Sequence, residues 1–503
     1  MDPRIIDPLT RDEIVAAHLS ANGAWMLVSC ALALFAALGL AFYYGGMVRA
    51  QHIMGVLIQV FCGIGVVTLL WPLIGYTVAF GPADGLWGGL DYAGLRHLGD
   101  PVTAPYTAEG GGTPTIVVVT FQLMVAVIAV ALIIGATAGR LPLGAFALFA
   151  GLWSVLVYAP VAHWVWSPNG WLFRRGALDF AGGTVVHVNA GVAAVVLAVV
   201  FGPRGDWRDP ALRPRGGPDA PSRRVPTARP HHVPLVLVGA GMLWFGWFGL
   251  TAGSALGSGE LAGWAFLNTQ VAAAAAMICW VLFEWLRDGK PTPLGAVSGA
   301  VAGLVAITPG CGFVSPMGAL AVGAVAGIGC PLAIALTRRR GLDDALGVGA
   351  IHFTGAIVGT LMVGLFATPS TGGSTIRGVF YGGSWRLFAE QLLAVGCAIA
   401  YSATVTLGLA LLARRAGATR FGAARFGPRT HISGHTGQIV ARMTRWRAFS
   451  LPVIRSRKTS RPEVEADGDR ALRDGVTNWL NLSGGDGNVT VVSSAKVPEE
   501  TQA

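Results

Sequence analysis

A succession of long apolar runs, nearly free of charge, constrains this chain more than any other feature. A helix needs about 20 apolar residues to cross a bilayer. Eleven runs qualify, beginning near Ala24, Ile53, Ile116, Leu143, Gly183, Val233, Leu261, Leu294, Met317, Gly347 and Leu387. Charge supports the same reading, because only 12% of the residues are charged, against about 25% in soluble domains. The 71 glycines suit closely packed transmembrane helices. The expected fold class is therefore an all-α integral membrane protein with eleven transmembrane helices. Its eighth helix is interrupted at Thr308-Pro309-Gly310, where proline ends or kinks a helix.

Orientation follows from the basic residues between the runs. The loop after the first helix and every second loop thereafter carry fourteen, among them Arg49, Arg140, Arg204, Arg287, Lys290 and Arg338. The alternate loops carry far fewer, among them Arg96, Arg174, Arg175 and Arg377. This places the N-terminus outside and the C-terminus inside. Eleven helices divide as five, five and one. Two five-helix units in series must have opposite topology, which is the layout of an inverted repeat with a path near the midplane.

Three further segments complete the organisation. Residues 1–23 are acidic, lack the basic n-region of a signal peptide, and read as an outer segment before a mature helix. Residues 24–413 form the membrane domain, with an Arg- and Pro-rich cytoplasmic loop at 203–232. Residues 414–503 read as a largely disordered cytoplasmic tail. It is basic up to Arg461 and acidic from Pro462, and its basic part suits either anionic lipid or solvent.

Ionisable groups inside a membrane are expensive and point to function. His163, His187 and His352 lie within apolar runs. His163 stands at an outer helix end beside Trp164 and Trp166, where an interfacial role suffices. His187 and His352 lie deep in the fifth helix of each half, so an inverted repeat brings both imidazoles to the centre of a path. A lone histidine would more simply satisfy a nearby carbonyl, but a matched pair favours function. Asp179 precedes His187 by eight residues. It suits a helix N-cap, and equally a carboxylate near an external cation site. The six cysteines read as small buried hydrophobes. No nucleophile–base set, phosphate loop or metal cluster is evident, so neither an enzyme nor a cofactor is expected, and nothing points to nucleic acid.

The stretch DFAGGTVVH (Asp179–His187) is highly similar to the signature of the ammonium transporter/Rhesus family. GLAFYYGGMVR (Gly39–Arg49), WFGLTAGSA (Trp247–Ala255), LGAVSGAVAGLVAITPGCGFV (Leu294–Val314) and the helix bearing His352 agree with it in order. The resemblance spans residues 20–413 and implies an eleven-helix inverted repeat, a homotrimer and one pore per subunit. It implies that Trp166 and Ser254, steadied by Asp179, recruit ammonium outside. It implies that His187 and His352 form the pore pair, and that Trp247 lines the pore. Phe121 and Gln122 match the family at the entrance. Val125 and Leu250 stand where two stacked phenylalanines are usual, leaving a wider and less aromatic gate. Thr251 replaces a usual asparagine and Gly139 a usual glutamate. The proline usual before GLAF is missing, and the tail lacks the family's acidic-glycine-aspartate segment, which leaves a PII-type regulator open as a partner. Three activities remain open: charge-coupled ammonium transport, a passive ammonia gas channel, and an ammonium sensor.

Overall fold

The computed structural model describes residues 8–99, 101–102, 112–204, 230–344 and 346–417. All of these fall in one compact unit, Met1–Arg429. Among the described residues, besides short pieces such as the helix Trp171–Arg175, eleven longer helical stretches follow in order: α1 Pro8–Met47, α2 Ala50–Phe80, α3 Thr115–Thr137, α4 Leu143–Trp166, α5 Gly183–Phe201 and α6 Val233–Gly253. They continue with α7 Glu260–Asp288, α8 Pro293–Ile307, α9 Pro316–Arg339, α10 Gly349–Phe366 and α11 Arg386–Gly417. Ten are long and apolar enough to cross a membrane. Among the described residues, pairing of extended backbone is limited to isolated bridges such as Val314 with Ala367.

Three boundaries differ from the sequence reading. Helix α1 starts at Pro8 rather than near Ala24, because LTRDEIVAAHLSANGA contains no proline and its polar residues are compatible with a helix outside lipid. Helix α8 has 15 residues, roughly 22 Å at 1.5 Å per residue, short of a full span. It stops at Ile307 because Pro309 follows. Helix α11 runs on to Gly417, so the first residues assigned to the tail are helical. The bulk of the 203–232 loop and of the 414–503 tail lies outside the described residues.

Glycine determines how the helices meet. Helix α1 lies along α6, where Gly39, Gly239 and Gly246 leave no room for a side chain. A Cβ on Gly239 would sit 2.2 Å from the Tyr43 amide nitrogen. Helices α7, α8 and α9 meet in the same way through Gly303 and Gly323 against Ala272. Without a hydrophobic drive inside lipid, such close backbone contact supplies the dispersion energy of association. Large apolar side chains, including Phe61, Leu69, Ile278 and Leu286, remain exposed on the outside, where lipid or another subunit would cover them.

Candidate functional site

The site begins with a turn. Gly182 has φ +108°, a conformation L side chains rarely adopt. It lets the Asp179 carboxylate fold back onto the start of α5, where it accepts from the amides of Gly182, Gly183, Thr184 and Val185 at 2.6–3.1 Å. Those N–H groups have no partner within the helix, so the carboxylate satisfies them and meets the positive end of the helix dipole. Burial pushes the Asp179 carboxyl above its ordinary range, while the four amide donors pull it back.

The first turn of α5 is a π-helix, Gly183–Val188, in which the His187 amide bonds back to the Gly182 carbonyl at 3.0 Å. π-turns of this kind re-aim side chains at functional sites. A second such unit lies across the molecule. Asp344 accepts from the amides of Gly349 (3.1 Å) and Ala350 (2.7 Å), and the π-turn Gly349–Phe353 carries His352. Asp344 precedes His352 by eight residues, the spacing of Asp179 and His187. The repeated spacing is present in the sequence, where Asp344 has no motif around it to mark it.

The two units bring the imidazoles together. His187 and His352 are fully or almost fully buried, with ring centroids 5.3 Å apart, planes 26° apart and Nδ1 atoms 3.4 Å apart. One Nδ1 must then donate and the other accept, so the neutral rings adopt complementary tautomers. The close approach of α5 and α10 depends on Gly191, where a Cβ would meet the Phe353 Cβ at 2.7 Å. Trp247 stacks on His187 at 5.2 Å with planes 6° apart. Its Nε1–H donates to Thr308 Oγ1 at 3.0 Å, so the break after α8 anchors the indole. His187 Nε2 is buried without a protein partner and so is available to a guest.

A cavity of about 350 Å³ also opens among these helices, lined by Phe121, Gln122, Val125, Trp166, Phe180 and Ser254 among others. Trp166 is held by its Nε1–H, which donates to the Asp179 backbone carbonyl at 2.7 Å. The Ser254 hydroxyl donates to the Leu250 carbonyl at 2.8 Å, leaving its oxygen lone pairs for an incoming N–H. Gln122 Oε1 is a buried acceptor without a partner. Five of the ten residues picked out from the sequence therefore share one cavity. His187, His352 and Trp247 form a separate stack. Leu250 is fully buried and touches the cavity's chemistry through Ser254. Asp179 does not line the cavity. Its carboxylate is used by the helix cap, and its carbonyl positions Trp166.

His163 departs from its expected interfacial role. It is fully buried, and its Nδ1 bonds the Ala79 carbonyl at 3.1 Å. Thr251 donates to the Trp247 carbonyl and accepts from Thr269, so it braces the helix under the indole.

The described residues hold no cluster suited to a metal ion. A model of the Ammonium Transporter Family matches residues 24–422. The chain belongs to the ammonium transporter family. An "Ammonium transporter" of Mycobacterium tuberculosis is 46% identical over 414 residues, covering 77% of this chain and 83% of that protein. The crystal structure of Saccharomyces cerevisiae Mep2 superposes with a TM-score of 0.70 at 33% identity, covering 78% of this chain and 85% of the other. A solved structure described as "Sensor Amt Protein" superposes with a TM-score of 0.69 at 26% identity, covering 80% and 94%. The relatives are named as transporters rather than enzymes, and this transporter-family chain is a multi-pass membrane protein.

Proposed function

We propose that this family member carries ammonium-derived nitrogen across the cytoplasmic membrane, with ammonium recruited outside and ammonia conducted past His187 and His352. The carrying observation is the buried stack of the two imidazoles with Trp247. The cavity supplies the first step. The Trp166 face attracts a cation, and Ser254 and Gln122 offer oxygen acceptors. Potassium has no N–H to give them.

Energetics favour loss of a proton before the stack. Ammonium has a pKa near that of a lysine amine, so deprotonation at pH 7 costs roughly 4–5 kcal/mol, three pK steps of 1.36 each. Burying the bare ion costs several kcal/mol after relaxation and on the order of 20 in the idealised limit. Neutral ammonia is thus the cheaper species in a dry path. The coupled imidazoles then provide a separate route for the proton.

The finer architecture belongs to the same proposal: eleven helices with the N-terminus outside and the C-terminus inside, an inverted repeat of α1–α5 and α6–α10, and a homotrimer with one pore per subunit. The matched Asp-to-His spacing in α5 and α10 supports the repeat. The proposed domains keep the sequence limits, 24–413 for the membrane domain and 414–503 for the tail, with α1 beginning before the first limit and α11 running past the second. A PII-type regulator has no support beyond the family resemblance.

A second reading, an ammonium sensor, draws on Val125 and Leu250 at the entrance and on the likeness to the Sensor Amt Protein. The test uses the full chain in liposomes on a solid-supported membrane, with pulses of ammonium and then potassium. Current for ammonium alone, lost in His187→Ala, is expected. Absence of current with ammonium binding intact by calorimetry sinks charge-coupled transport, and stopped-flow ammonia flux then separates a gas channel from a sensor.

A further inference from the structure

At the far ends of α3 and α5 from the Asp179 cap lies a buried ion cluster that the mechanism above leaves unused. Asp343, Arg140 and Arg204 have side chains 1%, 3% and 7% exposed. Arg204 grips the Asp343 carboxylate with Nε at 3.0 Å and Nη2 at 3.1 Å, and its own backbone amide adds a third bond at 3.0 Å. Arg140 reaches the same carboxylate with Nη2 at 3.1 Å and the Asp343 carbonyl at 2.6 Å. Its remaining donors satisfy the Ala136 carbonyl at the end of α3 (2.8 Å) and the Gly202 carbonyl just past α5 (3.1 Å).

A simple capping role would need none of this. Helix-end carbonyls are commonly met by water or exposed side chains, whereas two guanidiniums and a carboxylate taken out of water are expensive unless their geometry is fixed. What the cluster joins is specific. Arg204 continues from α5, which carries His187. Asp343 adjoins Asp344, which caps the π-turn carrying His352. The Nδ1–Nδ1 separation of 3.4 Å is at the long edge of hydrogen bonding, so a small slip of one helix along the other breaks it.

We propose that Asp343 is a positioning residue: clamped by Arg140 and Arg204, it sets the register of α10 against α5 and so holds the two imidazoles in contact. The inference rests on the paired-histidine reading above. The clamp holds Asp343, its neighbour Asp344 holds the Gly349 and Ala350 amides of the π-turn, and the π-turn sets the angle of His352.

The test compares full-length Asp343→Asn, the double variant Asp343→Asn with Arg204→Gln, and His352→Ala. The double variant removes one of the two cations that the single one leaves unpaired, with Arg140 still bonded to the Ala136, Gly202 and Asp343 carbonyls, which lowers the cost to folding. Arg204→Lys, which keeps the charge but loses the bidentate fork, takes the same test if neither variant inserts. Two signals are read in liposomes: ammonium and potassium currents, and the imidazole 15N resonances of His187 and His352. The expected result is folded protein with shifted 15N signals, an ammonium current lower by about tenfold or more, and a smaller ammonium-to-potassium ratio. Unchanged 15N signals and currents in the folded variant overturn the proposal. If His352→Ala conducts normally, the pore reading fails instead, and the 15N signals alone decide whether Asp343 positions the pair.

Discussion

Ser254 and Trp166 meet the cavity with complementary chemistry, one through an oxygen lone pair and the other through a ring face. Removing the oxygen in Ser254→Ala leaves the cation attraction of the indole and takes away the N–H acceptor. The expected outcome is a loss of ammonium affinity of about 1 kcal/mol, near fivefold, with potassium affinity little changed, read by calorimetry or by the concentration dependence of the current. An equal loss for both ions would mean that Ser254 shapes the cavity rather than reads the ligand. Val125 and Leu250 are buried aliphatics, and of the two only Val125 lines the cavity. Ser254 and Leu250 stand in the contiguous stretch Trp247–Ala255, whereas Trp166 and Val125 lie in none of the quoted stretches and were picked out by the resemblance alone. Asp179 was only half legible. Its position before a helix suited a cap or a carboxylate near a cation site, but its bonds to four amides emerge only when the Gly182 turn folds the carboxylate back.

Two elements share one construction: an aspartate, a cap on a π-turn, and a histidine eight residues on. They differ in load. Asp179 satisfies four amides and Asp344 two. Each buried amide left without a partner costs about 1–3 kcal/mol. Asp179→Ala is therefore expected to destabilise by at least about 3 kcal/mol, and Asp344→Ala by visibly less. The comparison is made by thermal unfolding in detergent, and equal shifts would contradict this account of the caps. Helix positions were largely readable because span length and apolar composition are set by the bilayer. The π-turns were not. Hydropathy carries no trace of which carbonyl an amide selects, so a π-turn and an α-turn read alike in the sequence. The early start of α1 was missed for a related reason: its first turns are polar, so the apolar signal begins later than the helix does.

At the scale of the whole molecule, the proposed topology places the Trp166–Ser254 cavity and the Arg140–Asp343–Arg204 cluster on opposite faces. Fourteen basic residues lie in or beside the loops after α1, α3, α5, α7 and α9, seven of them after α5. A basic loop resists translocation, so the proposed orientation keeps those loops in the cytoplasm. The first segment is acidic and does not oppose export of the N-terminus. The consequence can be measured in cells without any transport assay. Asp91 lies in an exposed segment between α2 and α3, and Lys290 lies in an exposed turn between α7 and α8. Cysteines at these two positions, in a chain with its six native cysteines replaced by alanine or serine, would report the two faces. Asp91→Cys is expected to react with a membrane-impermeant maleimide in intact cells. Lys290→Cys is expected to react only after the membrane is opened. The reverse pattern would invert the pore, putting the cavity on the inside, and ammonium recruitment from outside would then need a different site.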